Sequence, residues 1–166
     1  MKVPQNLDNS VYSIMDWFEV TDEYSRQYAL RESYRNLGNR LFDNNGLADI
    51  FGRKVIACVD KFGSIGDEVE ITFKNPVYYW NDKGTLFAII GDFKDYKDSN
   101  NDGWGHLYTK IKGRFVQRSV VEFIVNIEVI DNIKDVFTDL IKNPVIKIER
   151  TGVNFFDKIK NFKKNY

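Results

Sequence analysis

The run from Gly105 to Phe115, GHLYTKIKGRF, holds the residue types best suited to recognition chemistry in this chain. Extended, it places Leu107, Thr109 and Ile111 on one face and Tyr108, Lys110 and Lys112 on the other. Arg114, Phe115 and Arg118 follow at once. An aromatic ring beside cations can stack on a base while the cations neutralise phosphates, which is what a single-strand nucleic-acid platform requires. The competing reading is a half-buried edge strand whose lysines discourage edge-to-edge pairing.

A second candidate is the loop DSNNDGWGHLYT. Asp98, Asn100, Asp102 and Gly103 match the opening of a calcium-binding loop, where several oxygens converge on a hard cation and glycine makes the sharp turn. The match then fails. Gly105 stands where an aliphatic residue belongs, and Thr109 where the bidentate acid belongs. Asp92 and Asp95 offer further oxygens, but a polar hairpin loop accounts for the segment more simply.

Catalytic constellations are poorly represented. His106 is the sole histidine, which removes multi-histidine metal sites and leaves a histidine-based triad without a nucleophile elbow. FGSIGD lacks the strand–loop–helix context of a phosphate-binding loop. Glu68 with Glu70, and Glu122 with Glu128, share strand faces, yet outward acids on half-exposed strands explain both pairs. Cys58 lies inside an apolar strand and reads as a buried, inert thiol. The expectation is a non-enzymatic binding protein that uses no cofactor.

The elements that must position these residues follow from patterning. At 166 residues, 43% hydrophobic and 15% aromatic, the chain fits a single domain with a real core. No apolar run is long enough to cross a bilayer, there is no signal-peptide core, and one cysteine fits a reducing compartment, so a cytoplasmic location is expected. Net charge is zero, but residues 1–52, 53–105 and 106–166 carry −3, −2 and +5. Positive charge therefore collects in the last third. The abundance of Lys, Asn, Asp and Ile suggests an AT-rich genome, as in low-GC bacteria and their phages.

Residues 1–52 read as a helical part. A short helix is expected over Ser10 to Phe18, and a longer one from an N-cap at Thr21 to a stop at Gly38. Arg31 and Arg35 share a helix face and either grip an anion or pair with Glu32. Residues 53–130 read as an antiparallel sheet: Val55 to Asp60, the alternating DEVEITFK, a hairpin of Val77 to Trp80 with Thr85 to Ile90, and His106 to Lys112. The last of them is one long strand over Ser119 to Ile130, around which the sheet is organised. Residues 131–166 add an amphipathic helix capped by Asn132 and ended at Asn143-Pro144. A short strand over Val145 to Arg150 and a basic tail helix complete the chain.

The fold class is α+β, mainly antiparallel, as a strongly bent sheet or small barrel, either OB-like or cone-shaped. The first expected partner is single-stranded nucleic acid, bound by Tyr108, Lys110, Lys112, Arg114 and Arg118. The alternative is a protein-binding inhibitor, immunity protein or adaptor of a bacterium or phage, for which Trp80 and Trp104 beside turns are candidate contacts. A small-molecule pocket lined by Tyr78, Phe87 and Phe123 is a third possibility. The tail helix either docks on its own domain or lies on an anionic membrane.

Overall fold

A computed structural model describes residues 1–4, 13–95, 103–105, 108–111, 114–117, 120–131, 133, 136–140 and 142–164. The strands are β1 (Ser13–Asp16), β2 (Asp49–Ile50), β3 (Arg53–Cys58), β4 (Asp67–Phe73), β5 (Leu86–Phe93), β6 (Tyr108–Ile111), β7 (Arg114–Gln117), β8 (Glu122–Val125) and β9 (Val145–Asn154). The helices are α1 (Arg26–Arg35) and α2 (Phe155–Lys164). The α+β class holds. Seven strands form one mixed sheet in the order β1-β8-β3-β5-β4-β9, with β2 beside β3, while β6 and β7 pair only with each other.

The sheet is open rather than a barrel, and it is not antiparallel throughout. β3 runs parallel to β5, and β1 parallel to β8. The parallel β3–β5 pair sits at the middle, where Val55, Ile56, Ala57, Cys58, Ala88, Ile89 and Ile90 are all sealed from solvent. Strands covered on both faces carry unbroken apolar runs, as these do. Their ladder slips one residue between Ile56 and Ala57, where Gly91 is the extra residue of β5. A Cβ on Gly91 would lie 2.2 Å from Val55 Cγ1, so the close approach needs glycine.

The long strand expected over 119–130 is broken. Only Glu122–Val125 pairs, and it is flanked by β1 and β3 rather than central. Asn126 ends it: its backbone carbonyl accepts from Val129 N and Ile130 N, and its Oδ1 accepts from Glu128 N at 3.0 Å. A short amide side chain that bonds its own backbone offers the chain a turn in place of the ladder. The hairpin expected at 77–90 is likewise replaced, because β5 pairs with β4, and Tyr79 and Trp80 lie in the intervening loop. Asn81 closes that loop by a two-way amide clasp on Thr85.

The helical expectations shift in similar ways. Ser13–Asp16 is a strand followed by a 3-10 turn at Trp17–Glu19, not a helix. α1 starts at an N-cap on Ser25, whose Oγ accepts from Tyr28 N, because Asp22 makes its own turn with Tyr24 N first. Among the described residues of 131–143 there is no α-helix, only single turns and a 3-10 turn at Thr138–Leu140. Ile133, Phe137 and Leu140 are nevertheless buried, so the apolar stripe performs its packing role without a regular helix. β9 runs on through Thr151-Gly152 instead of breaking there, and Asn154 caps α2 by accepting from Phe156 N.

The two helices cover one part of the sheet. Leu30 and Tyr34 of α1 and Phe155 and Ile159 of α2 are buried, and Phe51 packs against Tyr34, Phe155 and Phe162. The tail helix therefore docks on its own domain. The opposite layer holds Phe73, Tyr79, Trp80, Phe123 and Phe137, with ring centroids 5.0–6.5 Å apart in tilted, stacked and edge-on pairs.

Candidate functional site

Of the expected binding residues, Tyr108, Lys110 and Arg114 fall on the β6–β7 ribbon. Its register opposes Tyr108 to Gln117, Thr109 to Val116, Lys110 to Phe115 and Ile111 to Arg114. Opposed residues of an antiparallel pair belong to one face, and faces alternate along each strand. Tyr108, Lys110, Phe115 and Gln117 are thus one set of positions, and Thr109, Ile111, Arg114 and Val116 the other. The pairing brings Phe115 to the set of Tyr108 and Lys110, a grouping that strand-by-strand reading missed. It assigns Arg114 to the other set. Lys112 and Arg118 lie outside the described residues, as do His106 and the calcium-loop candidates Asp98, Asn100 and Asp102.

The ribbon is also distinct in charge. From Gly103 to Val121 the sequence carries Lys110, Lys112, Arg114 and Arg118 and no carboxylate. The large sheet is the reverse. Arg53 Nε lies 2.9 Å from Glu68, and Lys54 Nζ is 2.8 Å from both Asp43 and Asp49. Lys147 is 3.3 Å from Glu149, and Arg150 is 4.0 Å from Asp67.

The carboxylate pairs considered for catalysis are structural. Glu68, expected to point outward into solvent, is only 5% exposed, and it accepts from Arg53 and from Thr151 Oγ1 at 2.9 Å. The Lys83 ammonium, 2.8 Å from Glu70, holds that carboxyl below its ordinary range, aided by Thr85. Glu122 and Glu128 do not share a strand, since Glu128 lies in the Asn126 turn. Burial would lower the Lys54 pKa, but its bonds to Asp43 and Asp49 outweigh this and hold it above the usual value. Burial pushes the Cys58 thiol up to about 12, which keeps it protonated and unreactive at neutral pH. Among the described residues no cluster of three or more potential ligands is placed to hold a metal ion.

Other expected sites also resolve. Arg31 is buried and donates to the carbonyls of Trp17 and Val20, while its Nε and Arg35 Nη1 both reach Glu32. The two arginines pair with Glu32 rather than forming an anion grip. Tyr78 is exposed, Phe123 is in the core, and Phe87 opposes Glu70 on a different face from Phe123, so the three do not line one pocket. Trp80 packs on the aromatic layer, and Lys61 Nζ sits 4.0 Å over the Trp104 ring.

A feature the sequence did not disclose is a groove of about 580 Å³ between the end of α1, the loop 39–46 and the Asn126 turn. Phe18, Phe42 and Val129 give it an apolar wall, and Arg35, Arg40, Asp43 and Asn126 a polar rim. Asn39 in its lining has a buried Nδ2 without an acceptor, as does Trp17 Nε1 behind Phe42. A buried donor left without a partner costs about 1–3 kcal/mol.

No family model, curated protein or solved structure matches this chain. Among the described residues no helix is long and apolar enough to cross a membrane.

Proposed function

We propose that the protein is a binding module that holds single-stranded nucleic acid along the β6–β7 ribbon. The observation that carries this reading is the register, which groups Tyr108, Lys110 and Phe115 in one set of positions. Two aromatic side chains flanking a cation form a stacking platform, and every base has a face to stack whatever its identity. Lys112, Arg114 and Arg118 add to the positive field that the carboxylate-free run around them leaves unneutralised in sequence. Phosphate neutralisation supplies affinity, and stacking distinguishes unpaired from paired bases.

The roles follow from side-chain chemistry. Tyr108 and Phe115 stack, Lys110 and Lys112 act as point charges on phosphates, and Arg114 and Arg118 offer forked donors to phosphate oxygens. The test is fluorescence anisotropy of labelled single-stranded and duplex oligonucleotides. Wild-type protein is expected to favour the single strand. Tyr108→Ala with Phe115→Ala is expected to lose about 1–3 kcal/mol per stacked base and to erase that preference. Unchanged affinity in the double variant refutes the stacking role.

A further inference from the structure

We propose that the groove between Phe18 and Val129 is a second docking surface, one that receives an acidic segment of a protein partner. An apolar side chain of the segment seats against Phe18, Phe42 and Val129, and its neighbouring carboxylate meets Arg40. This inference is independent of the ribbon's ligand.

The apolar part is open. Phe18 is 47% and Val129 61% exposed, and the Phe18 and Phe42 rings meet edge-on at 5.7 Å. Large side chains exposed together in a concavity with a polar rim mark interaction sites rather than ordinary surface. The two come from positions far apart in sequence, and the groove's walls are fixed by the backbone. Asn126 N donates to Gly46 O at 2.9 Å, and Leu47 bridges Val125. Gly46 adopts φ +84, and a Cβ there would lie 2.8 Å from Val129 Cγ1, so the loop presses directly on the wall residue. A surface held this way loses little freedom when a ligand arrives.

Charge selects the partner. Asp43, the sole acid lining the groove among the described residues, already binds Lys54 Nζ at 2.8 Å and accepts from Asn45 N and Leu47 N within its own turn. Arg35 shares Glu32 but remains largely exposed. Arg40 is exposed and forms no ion pair among the described residues. The rim therefore carries two arginines against one acid, and that acid is turned to Lys54, which it shares with Asp49, and to its own turn; this balance favours carboxylates over basic segments. Asn39 makes no hydrogen bond through its Nδ2, and rotation of its side chain would turn that amide toward an incoming carbonyl or carboxylate.

The experiment is selection of displayed random short peptides on the immobilised full chain, in parallel with the variants Arg40→Glu and Val129→Asp. The expected result is enrichment of peptides with an apolar residue flanked by Asp or Glu. Their amide shift changes should fall on residues 39–46 and 126–130, with affinity reduced about tenfold or more in either variant. No enrichment over the variants, or enrichment of basic peptides, overturns the proposal. Two further results would also overturn it. A concentration-dependent dimer abolished by Val129→Asp gives the groove to a second copy of the chain. Shifts at the same amides caused by an oligonucleotide give it to nucleic acid. Failure of oligonucleotides to bind the ribbon leaves this test unaffected.

Discussion

The strands of the large sheet carry the cations Arg53, Lys54, Lys147 and Arg150, and each has a carboxylate within 4.0 Å. The ribbon and its flanks carry as many, Lys110, Lys112, Arg114 and Arg118, in a run that contains no acid at all. In the sheet, charge ties strand to strand. Arg53 of β3 reaches across β5 to Glu68 of β4, and Thr151 of β9 completes the chain. A cation paired and partly buried in this way, as Arg53 and Lys54 are, is less available to a ligand. Among the described residues β6 pairs with β7 and with no strand of the large sheet. The net charge of zero thus covers two kinds of positive charge, one paired with carboxylates in the sheet and one set in a run without acids, which we propose is held for recognition.

The largest effect that would break this contrast is on stability. Phe123 is fully buried in the aromatic layer, so Phe123→Ala should cost about 3–5 kcal/mol in urea unfolding. Alanine at each ribbon cation should change stability by about 0.5 kcal/mol or less. Comparable losses in the two regions would show that the ribbon is part of the core. Next in size is Gly91→Ala, where the new methyl group meets Val55 and should cost about 1–3 kcal/mol by overpacking. Oligonucleotide affinity of the folded fraction should not change with it.

Two smaller effects sharpen the picture of the sheet. Cys58, with its pKa pushed up to about 12, should resist iodoacetamide at pH 8 in the folded protein and react on unfolding. Rapid native labelling would contradict a sealed β3. Burial holds the Asp92 carboxyl above its ordinary range despite bonds from Phe93 N and Gln27. An acid with a raised folded pKa binds its proton more readily in the native state. Its contribution to stability is therefore greatest below the usual carboxylate range and is lost as pH rises through the folded value. Asp92→Asn should raise the melting temperature slightly at pH 7 and not at pH 3. An equal shift at both would remove the assigned cause.

How much of this was legible in the sequence depended on whether local pattern and tertiary partner agreed. β4 alternates cleanly and its inward residues Val69, Ile71 and Phe73 are buried as read. The tail helix shows Phe155 and Ile159 at helical spacing, and both dock. β3 and β5, apolar on both faces, announce strands but not their partners, and nothing local says that they run parallel. Alternation past Asn126 continues through Ile127 and Val129, yet both are exposed, because the backbone carbonyl and side chain of Asn126 close a turn there. The ribbon residues were visible as a strand, but Phe115 joins Tyr108 and Lys110 only once the register is known. The groove was invisible, since Phe18, Arg40 and Val129 meet only through the fold.

The most direct test of the unequal use of charge is the salt dependence of single-strand binding, measured by anisotropy for wild type and for the ribbon variant with Lys110, Lys112, Arg114 and Arg118 all replaced by alanine. Four phosphate contacts predict a slope of log affinity against log salt of about −3 for wild type, falling toward zero in the variant. The matching variant of the sheet pair, Arg53→Ala, should leave the slope unchanged. A wild type that fails to bind at low salt, or a ribbon variant with the wild-type slope, would contradict the account.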